Sequence, residues 1–110
     1  MNRLLFQTVA VAAACVIAAA CAAFEAEPGA TPAEAVYNRN CIVCHGKNGG
    51  GADGPNLVEG NRTRTSIEAQ IRAGGTGMPA FQGRLADDQI RLAVDWVAAL
   101  REKAGKPTPP

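Results

Sequence analysis

The chain has 110 residues, four of them cysteines, and its 11 basic and 10 acidic side chains leave a formal charge of +1. That length sets the expectation at one domain. The near balance of charge, with no basic stripe, excludes nucleic acid as a partner, because phosphates demand clustered Lys and Arg.

Met1-Asn2-Arg3 precede an apolar run from Leu4 through Ala20, with small residues continuing to Ala23. This is the pattern of a secretory signal over residues 1–23, removed on export. A retained transmembrane anchor is the alternative, since the run is about long enough to cross a bilayer. Alanine is only weakly apolar, however, and Ala18, Ala20, Ala22 and Ala23 suit cleavage. Cys21 follows Ala18-Ala19-Ala20 in a stretch that resembles the lipobox of bacterial lipoproteins, although the usual large aliphatic residue is missing. Lipidation there would tether the domain to a membrane without spanning it. The expected location is periplasmic, either free or held through a lipidated Cys21 or an uncleaved leader. Residues 24–30 read as a linker, 31–104 as the domain, and 105–110 as a proline-rich tail that cannot continue a helix.

Thr31-Pro32-Ala33-Glu34 supplies a capping hydroxyl, a proline at the first helical position and a glutamate at the third, so a helix is expected from here towards Cys41. Cys41-Ile42-Val43-Cys44-His45 then carries the chemistry. Two thiols at this spacing reach both vinyl groups of one porphyrin, and the adjacent histidine faces the iron, which is the pattern of covalent haem attachment. A disulfide between Cys41 and Cys44 closes too small a ring to stabilise much and leaves His45 unexplained. A thioredoxin-like pair needs a βαβ setting that the flanking sequence does not offer. Structural zinc needs four ligands, and beyond the leader only Cys41, Cys44 and His45 are available.

Through this motif and the glycine-rich and Gly-Met-Pro segments downstream of it, the stretch from about Thr31 to Leu100 resembles the small bacterial class I c-type cytochromes. That resemblance implies an all-α cytochrome c fold, three to four short helices and loops wrapped around one covalent haem c. His45 would be the proximal ligand, and as the single histidine it excludes bis-histidine ligation within one chain. Met78 is the one methionine downstream of the leader. Gly74-Gly75-Thr76-Gly77 before it allow close backbone approach to a flat ligand, and Pro79 biases it towards an extended conformation. Ligation of the iron by Met78 fits this setting and the family, whereas a lone methionine otherwise fills a core gap. By the same resemblance, the Pro55 carbonyl in Gly54-Pro55-Asn56-Leu57 would accept the Nδ1 proton of His45 and orient the ring. Its alternative is an ordinary glycine-rich turn.

Thr65-Ser66-Ile67-Glu68 suggests a second capping box, opening a helix whose Ile67 and Ile71 share a face expected to lie on the haem. A last helix is expected from about Asp87 to about Lys103, with Ile90, Ala93, Val94, Val97 and Leu100 on one side. In the family it crosses the first helix, with aromatics such as Trp96 and Tyr37 packed at the crossing. Ala86 stands where relatives often carry a serine cap, leaving Asp87 to cap the helix, and Ala33 replaces a glycine that often eases the crossing. Arg62, Arg64 and Asn56 could meet the haem propionates, but solvated surface charge explains the arginines more simply.

With few aromatics, such a short domain is marginal without the cofactor in its core. The expected role is one-electron transfer, not catalysis, with donor and acceptor proteins that dock transiently to a monomer. A haem subunit of a larger periplasmic oxidoreductase is the alternative. A five-coordinate haem enzyme or gas sensor is weaker, because no second histidine and no distal acid–base pair are present.

Overall fold

The structure, a computed structural model, describes residues 29–110. The expected leader, Cys21 and most of the 24–30 linker lie outside the described residues. Thr31 is extended and its hydroxyl accepts the Glu34 N–H at 3.2 Å, so that α1 runs Pro32–Asn40 with the proline in its first turn. One turn of helix, α2 (Ile42–His45), comes directly after it, and then a 3-10 turn, Lys47–Gly49. A loop leads to α3 (Arg64–Ala73), and a second connection leads to α4 (Asp87–Lys103). No strand forms among the described residues; two isolated bridges, Gly75 with Met78 and Gln82 with Leu85, pin the connection between α3 and α4.

Two helix starts differ from the sequence expectation. Thr63, not Thr65, caps α3: its backbone is extended and its hydroxyl accepts the Ser66 N–H at 3.1 Å. Both threonines carry the right chemistry, and the choice falls to Thr63 because the chain beside it is anchored, with Arg64 N–H donating to the Pro109 carbonyl at 2.8 Å. Glu68 instead pairs with Arg72 one turn on, at 2.7 Å. Likewise Asp87 does not cap α4. The cap position is Ala86, whose N–H donates to the Gln89 side chain at 2.9 Å, while Asp87 binds Arg72 at 2.7 Å. An alanine offers no acceptor, so only the backward half of the capping box is made.

The core is built where the helices meet. Val36 of α1, Ile71 of α3, Phe81 of the connection, and Ile90, Ala93 and Val94 of α4 form one apolar cluster, with Ile90 0% exposed. Burying a side chain of this size stabilises by about 1.5–3 kcal/mol. Helix α1 packs across α4, and the alanine at 33 does not hold them apart. Tyr37 and Trp96 meet at that crossing, ring centroids 6.4 Å apart and tilted by 46°.

The proline-rich tail folds back. Lys106 N–H donates to Arg101 O at 2.8 Å, and its ammonium pairs with Glu59. Together with the bond from Arg64 to Pro109, these ties lay residues 105–109 against the 59–64 segment. No helix among the described residues is long and apolar enough to cross a membrane.

Candidate haem site

The attachment segment is held by the loop immediately C-terminal to it. Gly51 N–H donates to His45 O and Gly54 N–H to Cys44 O, both at 2.7 Å, and Leu57 N–H donates to Gly49 O at 2.7 Å. Laced in this way, the loop brings the Pro55 carbonyl to 2.9 Å from His45 Nδ1. A carbonyl only accepts, so Nδ1 carries the proton and the free lone pair of the imidazole is on Nε2. Gly54 makes the approach feasible, since a Cβ there would lie 3.2 Å from two ring atoms of His45 and 3.0 Å from Cys44 O. His45 is 9% exposed. The hydroxyl of buried Tyr37 donates to Gly46 O at 2.6 Å, fixing the residue after the histidine to α1.

A cleft of about 300 Å³ opens beside this segment, lined by Cys41, Cys44, His45 and Pro55 together with Met78 and Pro79. All five sequence-predicted site residues, Cys41, Cys44, His45, Pro55 and Met78, therefore line one cavity. Gly74 shapes the Met78 side: its φ of +68° lies in the left-handed region, and a Cβ would clash at 2.7 Å with Met78 O and Ala80 N. Close approach here is of backbone to backbone, which lets the chain fold back over the end of α3. Met78 is half-buried, lining the cleft and also resting against the apolar cluster.

Cys41 and Cys44 are not paired with each other, so both are thiols before haem is attached. Burial foremost, and the neighbouring Cys44 next, push the Cys41 thiol up to about 11. Among the described residues no cluster of three His, Cys, Asp or Glu could hold a metal ion by itself. Two thiols, one imidazole with its Nδ1 already engaged, and one thioether on a common cleft instead match the donor set for a covalently held haem.

Ile67 and Ile71 do not line the cleft as expected; both join the apolar cluster, and Gln70 is the α3 residue that reaches the cavity. Its amide donates to Gly74 O at 2.8 Å and accepts from Arg62 at 3.3 Å. Gln70, Asn40, Asp53 and Phe81 were not anticipated as lining residues. Phe81 could have been found from its closeness to Met78, whereas nothing in the sequence sets Gln70 apart from an exposed helical glutamine. Asn56 turns inward on its own loop, accepting from Val58 N–H and Glu59 N–H, and Arg64 pairs with Asp95.

Residues 28–97 match the family described as cytochrome c oxidase, cbb3-type, subunit III. Cytochrome c6 of Leptolyngbya boryana is 39% identical over 75 residues, which cover 62% of this chain and 88% of that protein. The chain belongs to the small class I c-type cytochromes. As a member it carries a covalently attached haem c and serves electron transfer, not catalysis. Among other relatives, cytochrome c-550 of Bacillus subtilis (strain 168) is 35% identical over 77 residues, 68% of this chain and 62% of that protein. The cbb3-type cytochrome c oxidase subunit CcoP of Azospirillum sp. (strain B510) is 37% identical over 87 residues, 62% of this chain but 29% of its own length. No solved structure matches.

Proposed function

We propose that this cytochrome is a one-electron carrier of an exported respiratory or dehydrogenase chain. Its haem c is joined to Cys41 and Cys44 and ligated axially by His45 and Met78. The observation that carries this reading is the convergence of those four residues on one cleft, with His45 Nδ1 engaged by the Pro55 carbonyl. When bound, the haem supplies a one-electron couple whose potential His/Met ligation raises.

The protein's part is positional. Pro55 fixes the tautomer and ring plane of His45 and raises its basicity, leaving Nε2 as donor. Gly74 and Pro79 hold the Met78 thioether at the cavity, and Phe81 keeps water from its inner wall. With His45 and Met78 both available as axial donors, the chain would leave a bound haem no open position for substrate, which suits electron exchange in brief encounters with redox partners. We place the mature protein in the periplasm, as a monomer, with residues 1–23 removed or Cys21 retained as a lipid tether.

The test is the visible spectrum of holoprotein, oxidised and reduced, for wild type and Met78→Ala. Covalent haem keeps its sharp reduced bands after denaturation. The weak red band of ferric His/Met iron is expected in wild type and absent in the variant. A wild type that lacks this band and binds carbon monoxide readily would overturn the axial assignment.

A second reading is favoured by the family's description as an oxidase subunit and by the likeness to CcoP: a haem subunit of a larger complex. Stoichiometric co-purification of a partner would select it over the free shuttle.

A further inference from the structure

Arg101 is 2% exposed, a guanidinium buried near the end of α4. Among the described residues no carboxylate forms an ion pair with it. Its Nη1 donates to Arg62 O at 2.9 Å and to the Thr108 hydroxyl at 3.4 Å, its Nη2 donates to Gly60 O, and its Nε is buried without a partner. A permanently charged group is expensive to bury. This one is met by one hydroxyl and two neutral carbonyls, and both carbonyls belong to the 60–62 turn.

That turn joins the two sides of the haem site. Upstream it continues from the loop that presents Pro55 to His45. Downstream, Arg62 immediately precedes Thr63, the cap of α3. Helix α3 is a ten-residue rod, and Met78 is presented from its far end, where Phe81 N–H returns to Ile71 O at 3.0 Å and Gln82 N–H to Arg72 O at 3.2 Å. A rod is aimed by its two ends. Arg72 ties the C-terminal end to Asp87 at the start of α4, at 2.7 Å, and the N-terminal end is tied to the close of α4 by Arg101. The tail completes the second tie through Thr108, through Pro109 accepting from Arg64 N–H, and through Lys106 with Glu59.

We infer that Arg101 is a positioning residue of the haem site, its guanidinium clasping the Gly60–Arg62 turn and the C-terminal tail so that α3 holds Met78 on the iron. This rests on the proposed His/Met ligation. The planar fork serves two carbonyls and a hydroxyl at once, which the point charge of a lysine does not reproduce.

The experiment uses holoprotein of wild type, Arg101→Leu, Arg101→Lys and Thr108→Val. The red band and the midpoint of imidazole displacement of the sixth ligand are followed under native conditions, alongside denaturant unfolding. Loss of the clasp is expected to make imidazole displace Met78 about tenfold more readily in Arg101→Leu, as local opening of α3 grows more frequent. Arg101→Lys should recover only part of this, and Thr108→Val should shift it in the same direction by less. Should Arg101→Leu not fold, the lysine and Thr108 variants decide. Lower unfolding stability with an unchanged imidazole midpoint in every folded variant would reduce Arg101 to a structural role and overturn the inference. Absence of the red band in wild type would instead defeat the ligand assignment on which it rests.

Discussion

The Pro55 carbonyl and His45 Nδ1 lie 2.9 Å apart across ten positions of chain. Between them Gly54 packs flat against the ring, with room for a hydrogen and no more. A Gly54→Ala variant must displace the imidazole or the loop, and overpacking of this kind costs about 1–3 kcal/mol. Denaturant unfolding of the holoprotein should show that loss, and the His45 ring resonances should move. An unshifted ring with full stability would mean the loop yields without transmitting strain.

Tyr37 is 1% exposed and its pKa is pushed up to about 12, by burial foremost; the Cys41 thiolate adds to this only before haem is attached, since a thioether carries no charge. A raised pKa means the native state holds its proton more tightly than the unfolded chain does. The resulting stabilisation is whole below the unfolded phenol value of about 10 and is lost as pH rises through 12. Tyr37→Phe should abolish this alkaline dependence. It should also lower stability by about 1 kcal/mol at neutral pH, since Gly46 O loses its donor. Unfolding as a function of pH, with phenolate absorbance followed in parallel, checks both.

Arg72 holds the Asp87 carboxyl below its ordinary range, through their hydrogen bond first and then through its charge. Here the sign is opposite. The contribution is present above the unfolded carboxylate value of about 3.9 and fades as pH falls through the lower native one. Asp87→Asn should flatten the acid limb of the stability profile while leaving its alkaline limb as in wild type. Acid unfolding of the two proteins followed by helical circular dichroism makes the comparison.

Ile90 is 0% exposed at the centre of the apolar cluster. Ile90→Ala is expected to lower unfolding stability by about 2–5 kcal/mol. A loss below about 1 kcal/mol would show that the cluster collapses around the missing atoms.

A cofactor that binds only the folded chain stabilises it, and the cleft lies beside a small core. Protein carrying Cys41→Ala and Cys44→Ala, made without haem, should lose most of its helical circular dichroism. A native helical signal would show that the three-way packing of α1, α3 and α4 suffices unaided.

That the attachment segment and Met78 belong to one cleft was legible because both stand out as rare residue types in local patterns, and α4 because its apolar positions repeat at helical spacing. The features that escaped notice depended on contacts distant in sequence. Thr63 and Thr65 are equally good caps until the tail reaches Arg64. The Ile67 and Ile71 face was correctly read as apolar, but periodicity does not say whether a face meets a cofactor or another helix. Asp87 had a capping chemistry that Arg72 claimed first. Arg101 was the one most open to discovery. It falls one turn beyond Val97 and two beyond Val94, hence on the buried side of α4, but charge argued against reading it there.

The folded-back tail also decides how the molecule meets anything joined to it. A chain continuing straight from α4 would leave along the helix axis. This one reverses and exits next to Arg64, at the start of α3. A fusion, affinity tag or surface linkage placed after Pro110 would therefore pull first on the Arg101 clasp.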